Sequence, residues 1–288
     1  VDTTQLVEQE RGRLFGIAYR LLGSVADAED AVQETFLRWE QSERAAIDNP
    51  PGWLTTVLTR HCIDQIRSAR ARREARTTPW MPEPLLQQEA DEVDPAERVT
   101  LDESVSLAML VVLETLSPAE RAVFVLHDVF GMEFEEVGAA VGRTPVACRQ
   151  LASRARRHVE ERRPRFEADA VQQRRVVAAF LDAAGRGDLE ALLPLLDPSV
   201  VLRAEGGGAF PVAGRPIHGA ARVAKVLTGG LKLFPTLARR PVTVNGGSGV
   251  LLSIDGELVA AVGISVAGGV ITEIDVVANP AKLRRLPA

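Results

Sequence analysis

EFEEVGAAVGRTPVACRQLASRARRHV, residues 133–159, is written as two short helices around a glycine turn. Phe134, Val137 and Val141 sit at helical spacing in the first, Gly142 supplies the tight turn, and Thr144-Pro145 open the second. Cys148, Ala152, Ala155 and Val159 recur every three or four residues, which makes one apolar stripe. The other face of that helix then carries Arg149, Gln150, Ser153, Arg154 and Arg156. Arginine pairs with guanine, glutamine with adenine, and further arginines hold phosphates, so the pattern is that of a helix-turn-helix presenting a basic reading helix to duplex DNA.

Upstream, LSPAERAVFVL (residues 116–126) carries a capping box, Ser117-Pro118-Ala119-Glu120, and residues 101–116 are helical in pattern. Residues 5–75 also read as helices: Leu14, Phe15, Ala18, Leu21 and Leu22, then Ala28, Val32, Phe36 and Trp39, then Leu54, Val57, Leu58, Cys62 and Ile66. Asn49-Pro50-Pro51-Gly52 marks the break before the third helix. The second helix exposes Asp27, Asp30, Gln33 and Glu34, a surface that DNA would repel and a protein partner would suit. The third presents Arg60, Asp64, Arg67, Arg70 and Arg73 beside Trp53, suited to a phosphate backbone and to unstacked bases.

Between the helical blocks, TTPWMPEPLLQQEADEVDPAERV (residues 77–99) holds three prolines within six residues and reads as a linker. After Pro164 the composition changes. Helical patterns at 171–184 and 188–196 precede valine- and isoleucine-rich segments at 199–204, 239–244, 250–254, 258–266 and 270–277. Asn245-Gly246, Asp255-Gly256 and Gly268-Gly269 are hairpin turn dipeptides between them. The expected fold is therefore multidomain: a helical bundle (1–76), the linker (77–100), a helix-turn-helix domain (101–165), both of them all-α, and an α+β domain with a curved antiparallel sheet (168–288).

Composition fits this plan. The chain of 288 residues is long enough for two or three cores, and its net charge of −5 conceals basic segments at 60–76 and 143–165. No apolar run approaches a membrane span, and the polar N-terminal segment predicts a cytoplasmic location. Cys62 and Cys148 stand apart, and no His or Cys spacing suggests a metal ligand set, so neither metal nor cofactor is expected.

The order DAEDAVQETFLRW, PGWLTTVLTRHCIDQIRSARARR, linker, LSPAERAVFVLHDVFGMEFEEVGAAVGRTPVACRQLASRARRHV resembles the two-domain core of bacterial extracytoplasmic-function sigma factors over residues 1–163. That resemblance implies docking of Asp27, Asp30, Gln33, Glu34 and Arg38 on the β′ clamp helices of core RNA polymerase. It implies recognition and melting of the −10 element by the loop at 42–52 and by Trp53, Arg60, Asp64, Arg67 and Arg70, and −35 recognition by the helix-turn-helix. Melting is then capture of unpaired bases, so the factor is expected to be no enzyme.

Residues 168–288 resemble the SnoaL-like fold, found in a sigma-factor subgroup that carries WLPEP, DGGGK and NPDKL motifs. Here the motifs read Trp80-Met81-Pro82-Glu83-Pro84, Glu205-Gly206-Gly207-Gly208-Ala209 and Asn279-Pro280-Ala281-Lys282-Leu283. The resemblance implies regulation in cis, and we expect Trp80 and the prolines to form a stiff strap packed near residues 205–208. Two other readings stay open. One is a helix-turn-helix regulator that binds operators without polymerase, which leaves the acidic surface without a role. The other is a SnoaL-type enzyme or small-ligand-binding protein with a DNA-binding appendage, using Asp182, Glu205, His218, Asp255 or Asp275.

Overall fold

The structure is a computed structural model describing residues 3–73, 80–86, 106–162, 170–207 and 214–287. The described residues 3–73 and 110–162 form one compact unit; 80–86, 106–109, 170–207 and 214–287 form a second. No helix among the described residues is long and apolar enough to cross a membrane.

In the first unit, α1 (Thr3–Leu22), α2 (Val25–Glu40) and α3 (Pro50–Arg73) pack around Leu14, Ile17, Leu21, Leu54, Leu58 and Cys62, all fully buried. Each such aliphatic side chain contributes about 1.5–3 kcal/mol of burial. The α1–α2 joint is short because Gly23 takes a left-handed φ of 68° and Ser24 then caps α2, accepting from the Asp27 amide. Asn49 does the same for α3, its Oδ1 accepting from the Gly52 amide at 3.1 Å. Burial raises the Cys62 thiol far above its ordinary pKa, which keeps it an inert core group.

Among the described residues the remaining α-helices of this unit are α4 (Leu107–Leu113), which begins at residues belonging to the second unit, α5 (Pro118–Val123), α6 (Phe134–Val141) and α7 (Pro145–Arg162). The capping box at Ser117 and Glu120 forms as read, and α5 runs on into a π-helical turn, Phe124–Val129. That wider turn brings His127 over the Phe134 ring, centroids 3.9 Å apart, while His127 Nδ1 lies 2.7 Å from the Met132 carbonyl.

The second unit is α+β. Helices α8 (Ala170–Arg186), α9 (Leu189–Leu192) and α10 (Ala220–Lys232) cover one face of a six-stranded sheet in the order β2-β1-β6-β5-β4-β3. The strands are β1 (Leu196–Glu205), β2 (Ile217–His218), β3 (Leu237–Val244), β4 (Gly247–Ile254), β5 (Glu257–Ala267) and β6 (Val270–Val277). Three consecutive hairpins close through the two-residue turns read from the sequence. All six turn residues have positive φ, from 49° to 86°, as a turn matched to strand twist requires. Phe180, Leu192, Val200, Leu202, Val223, Ile264 and Ile274 fill the space between helices and sheet.

Two expectations fail. The helix expected over 188–196 ends at Leu192, a 3-10 turn, Leu193–Leu195, follows it, and Leu196 already belongs to β1, because Pro194 lacks the amide that would continue the helix. The sheet is mixed, because β1 runs parallel to β6, with Leu202 opposite Ile274 and Glu205 opposite Val277. No turn joins these two strands, so no local signal fixes their relative direction; the intervening helix and hairpins do. The short edge strand β2 was also missed, two residues being too few for a period to show.

Candidate nucleic-acid interface and strap-binding site

The reading helix takes its position from a close turn. Gly142, at φ 67°, ends α6, and a side chain at Gly138 would meet the Arg143 carbonyl at 2.7 Å. Thr144 Oγ1 accepts from the Ala147 amide and caps α7. Cys148, Ala152, Ala155 and Val159 are buried and Arg149, Gln150, Ser153, Arg154 and Arg156 are exposed, so stripe and face fall where the spacing puts them.

Three of those arginines are held by acidic neighbours within the same unit. Arg149 lies 5.3 Å from the Phe134 ring centroid and 3.4 Å from Glu135; Arg154 pairs with Glu120 at 3.1 Å and Arg156 with Asp128 at 2.5 Å. Burial alone would raise the Glu120 carboxyl, but hydrogen bonds from Ser117 and the charges of Arg154 and His158 outweigh it and hold it below the usual carboxylate range. The arginine ends of these pairs stay about half exposed, at 54%, 54% and 46%, whereas Glu120 and Asp128 are 13% and 17% exposed.

On α2, Asp27, Asp30 and Gln33 are exposed, Glu34 is half-buried and pairs with Arg38 at 2.9 Å, and the opposite face buries Ala28, Val32, Thr35 and Trp39. Trp53 meets Trp39 edge-on, centroids 5.5 Å apart, and is only partly exposed. Arg67 pairs with Asp64 at 3.4 Å on the exposed side of α3. The Arg70 side chain and Gly208 lie outside the described residues. Asp27, His61, Asp64 and Arg121 line one cleft of about 410 Å³.

Two contacts here had no sequence signal. Arg60 donates to the Ala139 carbonyl of α6 at 2.9 Å, so this guanidinium of the first module rests on the helix-turn-helix. Arg121, only 2% exposed, donates from Nε to the Leu113 carbonyl and from Nη1 to the Leu21 carbonyl at 2.7 Å, and pairs with Glu114. In sequence it directly follows the capping box Ser117–Glu120, and nothing beside it marks a buried contact.

In the second unit the three motifs meet on one carboxylate. Glu205, 6% exposed, accepts from the Met81 amide at 2.7 Å, from Asn279 Nδ2 at 2.9 Å and from Lys282 Nζ at 2.6 Å. Lys282 also donates to the Met81 carbonyl and stands 4.2 Å from the Trp80 ring centroid. Gly206 is buried; Gly207, at φ 58°, lets Asn279 come so close that a side chain there would overlap its amide. Asn279 Oδ1 and Pro280 start the last short helix, α11 (Pro280–Leu283), whose Leu283 is buried.

Pro82, Glu83 and Pro84 are buried along the same path. Farther on, Leu85 exchanges two bonds with Asn245: its amide donates to Asn245 Oδ1 at 3.1 Å and its carbonyl accepts from the Asn245 amide at 2.8 Å. Leu86 then bridges antiparallel to Val244 at the edge strand β3. Residues 80–86 are thus bound like an extended peptide, pinned at both ends. Asn245 was read only as a turn residue; its second role is invisible without the strap.

The five candidate acid–base groups are dispersed. Asp182 is exposed and paired with Arg186, Asp255 occupies a hairpin turn, and His218 is exposed on β2. Asp275 is buried on β6, where Arg203 bonds both Glu273 (2.8 Å) and Asp275 (2.9 Å). Burial pushes its carboxyl up to about 6, against the pull of Arg203. Among the described residues no group of three His, Cys, Asp or Glu could hold a metal ion.

Comparison with known proteins agrees with this anatomy. Residues 6–72 match Sigma-70 region 2, and residues 106–159 match Sigma-70, region 4. The probable ECF RNA polymerase sigma factor SigI of Mycobacterium tuberculosis is 37% identical over 96% of this chain and 93% of its own length. The ECF RNA polymerase sigma factor SigJ of the same organism is 38% identical over 97% and 93%. The crystal structure of Mycobacterium tuberculosis SigJ superposes with a TM-score of 0.78 at 33% identity, covering 98% of both chains. Two helical sigma modules and an α+β domain, matched along nearly the whole length, place the chain in the family of extracytoplasmic-function RNA polymerase sigma factors.

Proposed function

We propose that this sigma factor docks on the β′ clamp helices of core polymerase through Asp27, Asp30, Gln33, Glu34 and Arg38. Trp53, Arg60, Asp64, Arg67 and Arg70 then engage the −10 element, and Arg149, Gln150, Ser153, Arg154 and Arg156 the −35 element. No covalent step is needed: unstacking costs a few kcal/mol per step, offset by binding the exposed bases and phosphates. To reach a phosphate, Arg60 gives up the Ala139 carbonyl, an exposed bond and therefore an inexpensive one.

The SnoaL-like domain regulates this activity in cis, and does so by holding the strap rather than by catalysis. The observation that carries this reading is the convergence of Trp80-Met81, Glu205 and Asn279/Lys282 on a single buried ion pair. The acids of that domain support it too: Glu205 is used by the strap, and the helix-facing side of the sheet is filled by apolar side chains.

Run-off transcription with core polymerase tests it, comparing the full chain, its Trp80→Ala variant and a chain ending near residue 165. Initiation by the full chain is expected, with a different level when the strap or the third domain is lost. Equal activity of all three would remove cis control. Turnover of a substrate by the third domain would restore the enzyme reading.

A further inference from the structure

Among the described residues, the reading face of α7 carries one exposed large apolar side chain. Val146, second in the helix, is 61% exposed. Isolated exposed apolar side chains are ordinary on protein surfaces, so exposure alone says nothing. Its position does. Val146 lies three, four and seven residues before Arg149, Gln150 and Ser153, in the middle of the exposed face and opposite Cys148, Ala152 and Ala155.

Local structure gives no reason for a valine there. A β-branched residue is a mediocre helix former, and the first turn of a helix favours an acidic side chain, of which α7 has none. The neighbouring side chains on this face suit a duplex, and it is the first residues of a reading helix that reach base edges. The major groove offers one apolar feature, the 5-methyl group of thymine.

We infer that Val146 packs on the 5-methyl group of a thymine in the −35 element and so fixes one A·T pair of the promoter. The inference rests on the assignment of α7 to the −35 duplex. Arg149 and Gln150 supply hydrogen bonds beside it, and Val146 supplies discrimination that they lack, since cytosine presents no methyl group at that edge.

The test uses the full chain with core polymerase on a promoter selected from a library randomised through the −35 element. Each thymine of the element, on either strand, is replaced in turn by deoxyuridine, which lacks only the methyl group. Binding is measured for the wild-type chain and for Val146→Ala, a surface change that leaves the buried stripe untouched. At one position deoxyuridine weakens wild-type binding about three- to five-fold, the scale of one buried methyl group. Val146→Ala is already weaker on thymine and loses nothing further at that position.

A selected element without an A·T pair, a scan with no methyl-dependent position, or a Val146→Ala chain that keeps the dependence would each overturn the inference. Arg149→Ala, run alongside, separates the two levels of failure. If it weakens −35-dependent binding while the deoxyuridine scan is flat, only the role of Val146 falls. If neither substitution matters, α7 is not on the duplex and both readings fall.

Discussion

Replacing Glu205 by glutamine changes one atom in the strap-binding site and removes the charge on which three donors converge. The carboxylate accepts from the Met81 amide, Asn279 Nδ2 and Lys282 Nζ. A glutamine offers one acceptor oxygen and turns an NH2 group toward donors, in either amide orientation. Lys282, whose side chain is 12% exposed, loses its anion. Breaking a buried pair from one side costs about 3–5 kcal/mol, and Lys282 keeps the Met81 carbonyl and the Trp80 ring, so the lower end applies. At about 1.4 kcal/mol per factor of ten, 3 kcal/mol raises the population of released strap about 150-fold.

Amide hydrogen exchange reads that number directly, because the Met81 and Leu85 amides are themselves donors in the lock. In Glu205→Gln both exchange about a hundredfold faster, while Leu251 and Val262 in the central hairpin keep their wild-type rates. Unchanged protection at Met81 would refute the argument. Equal acceleration throughout the sheet would refute it differently, by showing that Glu205 supports the whole domain and not the strap.

Three further outcomes are expected. Replacing Asp30 and Glu34 together by arginine abolishes co-purification with core polymerase while the circular dichroism spectrum stays native; retained association would remove α2 as the docking surface. Arg149→Ala weakens −35 binding about five- to hundredfold on a sequence whose guanine it contacts and far less on others, whereas a uniform loss in a binding-site panel would make it a phosphate contact only. Asp275 holds its proton more tightly folded than unfolded, so its favourable contribution is complete below about pH 4 and is lost as pH rises through about 6. Urea unfolding of Asp275→Asn should therefore lack a decline of about 2–3 kcal/mol that the wild type shows across that interval, and parallel pH profiles would contradict this.

What the sequence made legible was whatever is decided within a few residues. The Asn-Gly, Asp-Gly and Gly-Gly turns fix their hairpins because only residues tolerant of positive φ close a two-residue loop. The buried stripe of α7 follows from helical spacing, and the capping box at Ser117 from four consecutive residues. Contacts across long separations were not legible. The parallel pairing of β1 with β6 has no turn to announce it, and nothing beside Arg154 and Arg156 in sequence announces the acids they meet on and just after α5. The burial of Arg121 was not legible either, because nothing near it in sequence points to the Leu21 carbonyl that it meets. Motif resemblance brought the three strap segments together, but that Lys282, and not the prolines, clasps Glu205 is a fact of the folded sheet.

The separation of the clasping residues along the chain sets a clock. Met81 and Lys282 are 201 residues apart. A ribosome adding about 5–20 residues per second takes about 10–40 s to cover that distance. Throughout that interval both DNA-reading modules are emerging or complete and the strap has no clasp. Every newborn copy therefore passes through a phase with its strap unclasped before its own C-terminal segment arrives to end it, and a stop codon anywhere between the two residues makes that phase permanent.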